Sequence, residues 1–361
     1  MAIATTRRGF HHHGITAVAF AALASTLGMG LAQAQTAPAK PDADMQMVLD
    51  AQASLKPKPI ETLSAVEARK QASVADGVNK VLKTTSQSTK PQVLVPGVKS
   101  QDISIAGATG PIPARVYTPA GRGPFPTIVY YHGGGWVIAD KTVYDGGARA
   151  LAKGANAVVV SVDYRRAPEA KFPAQWDDAL AAYKWTAANA AQYKGDPATL
   201  ALAGESAGGN LAVATAVAAR DAGLIKPVHI LSVYPVAQTS TDTPSYNTYA
   251  DAKPLNRPMV KWFVENLTNS PADLKDPRLQ LVDANLAGLP PVTIVNAQID
   301  PLLDDGAMLE AALRKAGVPV ERKVFDGATH EFFGTGAVVQ KGRDAQAFAA
   351  NRLKAAFGTG M

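Results

Sequence analysis

The sequence predicts an α/β protein with one mostly parallel sheet and helices on both faces. Near-continuous apolar runs have the length of buried strands, and helical segments lie between them. One of these runs ends abruptly in a glycine-rich turn before a segment of small residues. Regular β–α alternation implies right-handed crossovers and a sheet wrapped on both sides. We find no internal repeat.

The composition is that of a globular protein with a sizeable core. Of the 361 residues, 47% are hydrophobic and 18% are charged. The absence of cysteine excludes disulfides, thiolate metal sites and a cysteine nucleophile. The net charge is +6, and because residues 1–34 contain Arg7, Arg8 and no acid, the rest of the chain carries +4. The absence of longer Lys/Arg blocks favours a mildly basic surface over nucleic-acid binding.

Residues 1–34 are typical of an export signal. The pair Arg7-Arg8 precedes an apolar stretch over 14–31, and residues 32–34 (Ala-Gln-Ala) are acceptable to a signal peptidase. We therefore expect a mature protein that begins at Gln35, lies in the periplasm or outside the cell, and has no stable membrane span. The surroundings of the arginine pair also match the twin-arginine signal. An uncleaved membrane anchor is the alternative.

The segment 35–92 precedes the alternating pattern and is predicted to be an N-terminal helical cap. Apolar residues recur at helical spacing, and Pro57 and Pro59 separate two predicted helices. The main domain is predicted over 93–361, with a cap insertion at about 238–275 that includes a helix near 259–266. Connections of that length are usually functional. For the N-terminal helices, packing on the main domain is favoured over membrane or partner binding.

Eight segments have strand character. The first two alternate polar and apolar residues around a turn, which predicts an antiparallel start. The other six are near-continuous apolar runs, as buried parallel strands require. In chain order the eight segments are 101–105, 112–117, 126–131, 157–162, 200–203, 230–233, 291–296 and 320–325. Because ligands bind at the carboxyl ends of parallel strands, the residues after these runs are the candidates for chemistry.

Ser206 is the candidate nucleophile. It lies in Gly-Glu-Ser-Ala-Gly at 204–208, between an apolar run and small residues with good helix propensity. In such a strand–turn–helix context, G-x-S-x-G indicates a nucleophile elbow. Glycines at both ends of the pentapeptide avoid the collision that side chains would suffer at so sharp a turn.

His330 is the candidate base for Ser206. After residue 34 the chain has only three histidines, His132, His229 and His330. His229 leads into a strand, where a structural histidine is the default. His132 is notable for the glycines that follow it. His330 follows the last predicted strand across a turn, which places it where α/β proteins carry their chemistry.

Asp300 is the candidate for the acid that orients His330. It follows the run 291–296, and the order Ser, Asp, His along the chain is that of nucleophile-elbow hydrolases. Asp304 and Asp305 lie about one turn further along. We interpret them as acids at a helix N-terminus, where the helix dipole favours them.

Three consecutive glycines predict where a developing oxyanion would bind. The sequence His-Gly-Gly-Gly-Trp at 132–136 follows a predicted strand, and backbone N–H groups reach a substrate oxygen only where no side chain blocks them. Gly133, Gly134 and Ala207 are the candidate donors. The alternative, a phosphate-binding loop, is disfavoured because neither the G-x-x-x-x-G-K-[ST] nor the G-x-G-x-x-G pattern is present.

Together these motifs resemble the bacterial hormone-sensitive-lipase-like (family IV) carboxylesterases of the α/β-hydrolase fold. The motifs at 132–136 and 204–209 carry the resemblance, which extends over about 90–335. It implies a serine esterase for short- to medium-chain esters, with Ser206 as nucleophile, His330 as base and Asp300 as orienting acid. It further implies a small-molecule ester substrate and no metal or organic cofactor. With His330 as the base, activity is expected to fall on acidification near pH 6.5, the unperturbed pKa of histidine. The resemblance does not decide whether the protein forms a homodimer.

Three residues depart from the usual pattern of that family. Glu205 precedes the nucleophile where Asp is usual, while Ala139 and Glu331 stand where Gly is frequent. These departures leave the catalytic atoms in place but leave the shape of the acyl pocket and the substrate preference open. Two alternative functions are an amidase or peptidase with the same triad and a non-catalytic binding protein of this fold. The complete triad disfavours the second.

Overall fold

A computed structural model of the chain describes residues 39–359. The predicted export signal at 1–34 and its cleavage site before Gln35 lie outside the described residues. Within 39–359, none of the helices combines the length and the apolar character needed to cross a membrane.

Eight strands form a single sheet, and each corresponds to one of the eight predicted segments. Their bounds are β1 Val98–Ala106, β2 Pro111–Pro119, β3 Phe125–Tyr131, β4 Val158–Val162, β5 Gly195–Glu205, β6 His229–Val233, β7 Val292–Ile299 and β8 Val320–Thr329. The order across the sheet is β1-β2-β4-β3-β5-β6-β7-β8. Strand β2 is antiparallel to β1 and β4, and the other neighbours pair in parallel. The predicted fold class, an α/β-hydrolase sheet with an antiparallel start, is therefore confirmed.

Helices lie on both faces of this sheet. Their bounds are α1 Ala43–Ala53, α2 Ala65–Ala68, α3 Val74–Thr84, α4 Pro91–Leu94, α5 Asp145–Gly154, α6 Ala174–Asn189, α7 Ala207–Asp221, α8 Pro244–Thr248, α9 Arg257–Leu267, α10 Leu303–Lys315 and α11 Gln340–Ala356. Short 3₁₀ helices lie at Ile60–Thr62, Ala190–Tyr193, Pro271–Lys275, Leu281–Asp283 and Phe332–Thr335. The helix predicted near 259–266 is α9.

Side chains alternate between two cores, one on each face of the sheet. In β3, Val129 and Tyr131 belong to the first core, whereas Ile128 and Tyr130 belong to the second. Helices α6, α7 and α10 cover the first core, and α1, α3, α5 and α11 cover the second. Burial of each large aliphatic side chain contributes about 1.5–3 kcal/mol, so both faces stabilise the sheet.

The N-terminal segment divides between these two cores. Helices α1 and α3 pack against each other within the second core, consistent with the two helices predicted around the prolines. Between them, the 3₁₀ helix Ile60–Thr62 and α2 join the first core instead. There the indole N–H of Trp262, in α9, donates to the carbonyl of Leu63 at 3.2 Å. The N-terminal segment and the insertion between β6 and β7 therefore contact each other through residues 60–68, while the domain limits at 34, 92 and 93 stay predictions.

The topology brings four loops to one edge of the sheet. Strands β3, β5, β7 and β8 are parallel and therefore end at the same edge. The residues that directly follow them are His132, Ser206, Asp300 and His330. The candidate residues thus meet because of strand direction. His330 is 30 positions from Asp300 and 124 positions from Ser206 along the chain, yet it forms a hydrogen bond with each.

Candidate active site

Ser206 lies on a strained turn between β5 and α7. Its backbone angles are φ 57° and ψ −118°, a conformation that costs a non-glycine residue about 1–3 kcal/mol. A Cβ at Gly204 would collide with the carbonyl of Gly208, and one at Gly208 would collide with the carbonyl of Tyr131. The backbone N–H of Ser206 donates to the carbonyl of Val233 in the neighbouring strand at 2.8 Å. The glycines are therefore required by sterics, and the turn presents the hydroxyl at the sheet edge.

Ser206, His330 and Asp300 form a hydrogen-bonded chain. The serine Oγ lies 3.0 Å from Nε2 of His330, and Nδ1 of His330 lies 2.6 Å from Oδ2 of Asp300. All three are buried. The other carboxylate oxygen of Asp300 accepts the backbone N–H of Leu302 at 2.9 Å, and the ring of Tyr234 packs on the imidazole. The imidazole is thereby held with one nitrogen toward the acid and the other toward the serine.

The protonation of His330 is governed by its buried surroundings. Burial lowers the pKa of His330, but the charge and hydrogen bond of Asp300, together with the charges of Glu331 and Glu205, raise it by more, so that it lies above the usual value of 6.5. The paired acid therefore stabilises the imidazolium that forms when the base accepts a proton. The acid limit of activity is correspondingly expected above pH 6.5, a correction to the unperturbed value assumed from the sequence.

Gly133 and Gly134 have free backbone donors beside Ser206. Across residues 39–359, neither N–H donates to a protein acceptor. Gly134 has φ 96°, and a Cβ there would collide with the carbonyl of Ile138. Ala207 is the first residue of α7, where backbone N–H groups have no acceptor within the helix. The three predicted donors are thus unblocked at the edge that carries Ser206.

A small apolar cavity touches Ser206. Its volume is about 30 Å³, and Trp136 and Gly135 form one side of it. The cap insertion supplies most of the rest of its wall, including Tyr246 and Phe263. A Cβ at Gly135 would collide with the ring of Phe263, so this glycine lets the insertion pack close to Ser206.

Glu205 faces away from this cavity and into the second core. It is 1% exposed, and its two carboxylate oxygens accept hydrogen bonds from the hydroxyls of Tyr130 and Tyr234. These tyrosines extend from β3 and from the end of β6, the two strands that flank β5. Burial raises the pKa of Glu205 to about 7. The carboxyl group therefore ties the nucleophile turn to both neighbouring strands.

The other two departures from the family pattern occupy left-handed backbone. Ala139 has φ 63° and Glu331 has φ 64°, a region that glycine adopts without strain. The carboxylate of Glu331 accepts the hydroxyl of Tyr144 at 3.0 Å, and burial raises the pKa of Glu331. Neither these two residues nor Glu205 line the cavity at Ser206, so the departures do not set the shape of that cavity.

The other two histidines of residues 39–359 are structural. His132 is fully buried and stacked on Tyr164 with ring centroids 4.4 Å apart, and burial lowers its pKa. His229 pairs with the hydroxyl of Thr293 at 2.9 Å, and burial lowers its pKa to about 4. Neither side chain takes part in a hydrogen bond with Ser206.

Asp304 and Asp305 lie in the first turn of α10, as predicted, and also anchor the cap insertion. Asp305 is fully buried and accepts the backbone N–H groups of Ala237 and Gln238 at 2.9 and 3.3 Å. Asp304 accepts the backbone N–H of Ser245 at 2.8 Å. These anchoring contacts were missed at the sequence level because they join residues 59 to 68 positions apart.

Arg69 is a further residue that the sequence did not reveal. Its guanidinium donates to the carbonyl of Val137 at 2.8 Å and to that of Ala167 at 2.7 Å. It also forms a bidentate pair with the carboxylate of Glu169. Arg69 therefore connects the N-terminal segment to the glycine loop, residues 132–137. No local sequence motif indicates so distant a contact.

The described part of the chain contains no group of three or more His, Cys, Asp or Glu side chains arranged to hold a metal ion. The chemistry available at the site is that of a serine, a paired histidine and backbone donors, which suits acyl transfer.

Comparison with known proteins also indicates a hydrolase. The α/β hydrolase fold family matches residues 128–334. The carboxylesterase NlhH of Mycobacterium tuberculosis is 41% identical over 254 residues, which cover 68% of this chain and 79% of that protein. The esterase LipI of the same organism is 36% identical over 305 residues, covering 82% and 93%.

Solved structures of esterases are similar to this chain as well. A hyperthermophilic esterase from the archaeon Pyrobaculum calidifontis has a TM-score of 0.77 and 33% identity over 86% of this chain and 96% of that one. A thermostable esterase from Pseudomonas putida has a TM-score of 0.79 and 30% identity over 88% and 98%.

The chain therefore belongs to the α/β-hydrolase family. Within that family it belongs with the carboxylic ester hydrolases, which confirms the resemblance and the enzyme class predicted from its motifs.

Proposed function

We propose that the protein is a serine carboxylesterase in which Ser206, His330 and Asp300 are the catalytic residues. The observation that carries the proposal is the continuous hydrogen-bonded chain, 3.0 Å from serine to histidine and 2.6 Å from histidine to aspartate. Such a chain is required for a histidine to remove the serine proton as the hydroxyl attacks a carbonyl.

Acylation follows from this geometry. Ser206 Oγ attacks the ester carbonyl carbon while Nε2 of His330 accepts the hydroxyl proton, and Asp300 stabilises the resulting imidazolium. The N–H groups of Gly133, Gly134 and Ala207 donate to the oxyanion. When the tetrahedral intermediate collapses, His330 returns its proton to the leaving alcohol oxygen and an acyl-serine remains.

Deacylation repeats these steps with water. His330 removes a proton from a water molecule, which attacks the acyl carbonyl, and the same three N–H groups hold the second oxyanion. Collapse then breaks the bond to Ser206 Oγ, which regains its proton from His330. A carboxylic acid is released and the starting enzyme is restored.

We propose short- to medium-chain acyl groups as the preferred substrates. The cavity at Ser206 has a volume of about 30 Å³ and a mostly apolar wall, which suits the methyl group of an acetyl ester without rearrangement. Longer acyl chains require displacement of the side chains from the cap insertion that line this cavity.

A p-nitrophenyl ester series with the purified enzyme tests this proposal. We expect kcat/KM to peak between acetate and hexanoate and an organophosphonate probe to label Ser206. A matched anilide should react far more slowly than the ester. If the serine is labelled but only the anilide is turned over, the protein is an amidase, and a maximum at long chains would indicate a lipase-like acyl channel.

We also propose that the protein is exported, with residues 1–34 removed. The support is the order of a basic pair, an apolar stretch and a small-residue site in that segment. Expression of the full chain in a Gram-negative host should yield periplasmic protein beginning at Gln35. Substitution of Arg7 and Arg8 by lysine separates the two routes, because only twin-arginine export depends on that pair. Cytoplasmic protein with an intact Met1 would contradict the proposal.

A further inference from the structure

One buried tyrosine differs from the others because its hydroxyl has no hydrogen-bond partner. Eight tyrosines of residues 39–359 are buried, and seven of them donate to a protein acceptor: Tyr117, Tyr130, Tyr131, Tyr144, Tyr164, Tyr183 and Tyr234. The eighth is Tyr246, which is 1% exposed and makes no side-chain hydrogen bond within the described part of the chain. Buried tyrosine hydroxyls usually have a partner, since an unpaired polar group is destabilising away from water. Tyr246 therefore presents a free hydrogen-bonding group.

The position of Tyr246 is fixed beside Asp300. Tyr246 lies in α8, and its neighbour Ser245 donates its hydroxyl to the carbonyl of Pro301, the residue after Asp300, at 2.6 Å. Burial and the negative charges of Asp305 and Asp300 raise the pKa of Tyr246 well above its usual value. The hydroxyl therefore stays protonated and can act as a donor throughout the neutral pH range.

This hydroxyl borders the cavity at Ser206. Tyr246 and Ser206 both line that cavity, which has a volume of about 30 Å³. The unpaired atoms that are fully enclosed include Nε1 of Trp136 but not the hydroxyl oxygen of Tyr246, so the small exposed part of Tyr246 includes this oxygen. In so small a cavity any occupant contacts most of the wall. An acyl group on Ser206 therefore comes within reach of the hydroxyl.

The free polar side chains of this wall are hydrogen-bond donors. Gln238 is paired, since its amide donates to the carbonyl of Ser240 and accepts the N–H of the same residue. The hydroxyl of Thr239 donates to the carbonyl of Leu274. Besides Tyr246, the wall contains one more unpaired group, the indole N–H of Trp136, which can only donate. Apart from the nucleophile, the wall is thus suited to an acceptor atom in the bound group.

We propose that the hydroxyl of Tyr246 donates to an oxygen atom in the acyl chain, so that the enzyme prefers short acyl groups with an ether, keto or hydroxyl oxygen to hydrocarbon chains of the same length. The inference rests on the proposed function and specifies its acyl substrate. A hydrocarbon chain leaves the hydroxyl unpaired in the complex, whereas an acceptor oxygen satisfies it. A site with a buried polar group disfavours an analogue that lacks the partner for that group.

Ethyl methoxyacetate and ethyl butyrate test this assignment, because their acyl chains have the same length and differ by one oxygen in place of a CH₂ group. The oxygen also makes the ester intrinsically more reactive. The informative quantity is therefore the ratio of kcat/KM for the two esters, compared between wild type and Tyr246→Phe. We expect this ratio to fall by at least about fivefold in the variant, the effect of losing one hydrogen bond. An unchanged ratio would mean that the hydroxyl does not contact the acyl chain and would overturn the proposal.

Tyr249→Phe provides the matched control. Tyr249 directly follows α8, is half-buried and does not line the cavity at Ser206. Its substitution should leave the ratio of the two esters unchanged. A fall of the same size in both variants would contradict a specific role for Tyr246.

The stability of Tyr246→Phe tests whether the hydroxyl is unpaired. We expect its urea unfolding midpoint to equal or exceed that of wild type, because the substitution removes a buried polar group that has no partner. A clearly lower midpoint would mean that the hydroxyl is paired within the protein, and the proposal would then fail.

Binding of the product acids separates this inference from the esterase function, since it requires no turnover. By calorimetry, we expect methoxyacetate to bind wild-type protein more tightly than butyrate does. This preference should be lost in Tyr246→Phe and retained in Tyr249→Phe. Equal affinities of wild type for the two acids would overturn the inference. A preference that depends on Tyr246, together with no turnover of ethyl acetate, would support the assignment and reject the esterase function instead.

Discussion

Ser206, the proposed nucleophile, lies on strained backbone. Its φ of 57° is stabilised by the hydrogen bond of its N–H to Val233 in the neighbouring strand. Gly204 and Gly208 permit this turn because a Cβ at either position would collide with a backbone carbonyl. The hydroxyl makes its hydrogen bond to His330 at 3.0 Å, so removing it leaves the packing of the turn intact.

We therefore expect Ser206→Ala to lose at least ~10⁴-fold in kcat without loss of structure. The reason is that the nucleophile disappears while only one hydrogen bond is removed. Ester hydrolysis measures the loss, and urea unfolding midpoints compare the stability of the two proteins. Turnover within tenfold of wild type would contradict the role of Ser206.

The pH dependence should report His330. Because Asp300 raises its pKa above 6.5, the base becomes protonated, and therefore inactive, already above that pH as acid is added. We expect kcat/KM to fall on acidification with a midpoint above pH 6.5. A profile that stays flat down to pH 5 would contradict a histidine base.

Glu205 should influence that midpoint. Its carboxylate lies near His330 and, when ionised, favours the imidazolium. In Glu205→Gln this negative charge is absent, so the pKa of His330 falls and the acid limb should move to lower pH. Glu205→Asp keeps the charge and provides the control. An unchanged midpoint in the glutamine variant would show that Glu205 is uncharged where His330 titrates and acts through the tyrosine contacts alone.

At the scale of elements, the glycine loop after β3 depends on a distant segment. Arg69 donates to the carbonyls of Val137 and Ala167, and the N–H of Ala167 donates in turn to the carbonyl of Trp136 at 3.0 Å. One side chain of the N-terminal segment thus fixes the loop that carries two of the proposed oxyanion donors.

We expect Arg69→Met to lower kcat by about tenfold or more with little change in KM, because small displacements of oxyanion donors cost transition-state stabilisation. Glu169→Gln is the matched control, since it weakens the ion pair but keeps the contacts of Arg69 to the loop. Steady-state kinetics of both variants measure the difference. An equal loss in both, or an effect confined to KM, would argue against positioning of the loop.

The elements themselves were largely predictable, and the contacts between them were not. All eight strands correspond to predicted segments, and burial on both faces gives the central strands β3 to β7 their apolar signal, whereas β1, β2 and β8 contain exposed residues. The pairs of Ser206 with His330 and of His330 with Asp300 follow from strand direction and the small number of histidines. Arg69, Tyr130 and Tyr144 could not be found in this way, since each acts through a contact 68 to 187 positions away.

At the scale of the whole molecule, the two cores are not purely apolar. Glu205 is buried and Glu331 is half-buried beside the candidate active site, and Asp305 is buried where α10 meets the cap insertion. Burial raises the pKa of all three carboxyl groups, to about 7 for Glu205 and Asp305. The folded protein therefore retains protons that the unfolded chain would release.

Because the folded state retains these protons, the free energy of unfolding decreases as the pH rises. An unfolded Asp has a pKa of about 3.9, so between that value and about 7 the folded state binds more protons at Asp305 than the unfolded state does. The contribution of Asp305 to the free energy of unfolding is therefore present at low pH and lost as the pH rises to about 7.

Asp305→Asn removes this titration while its amide oxygen can still accept the N–H groups of Ala237 and Gln238. We expect the free energy of unfolding of the variant, relative to wild type, to increase by about 3 kcal/mol between pH 5 and pH 8. Urea denaturation of both proteins at the two pH values measures it, and an exposed-site variant such as Asp326→Asn should show no such trend. The same difference at pH 5 and pH 8 would mean that Asp305 is ionised throughout, held by the N-terminus of α10 and its three donors despite its burial.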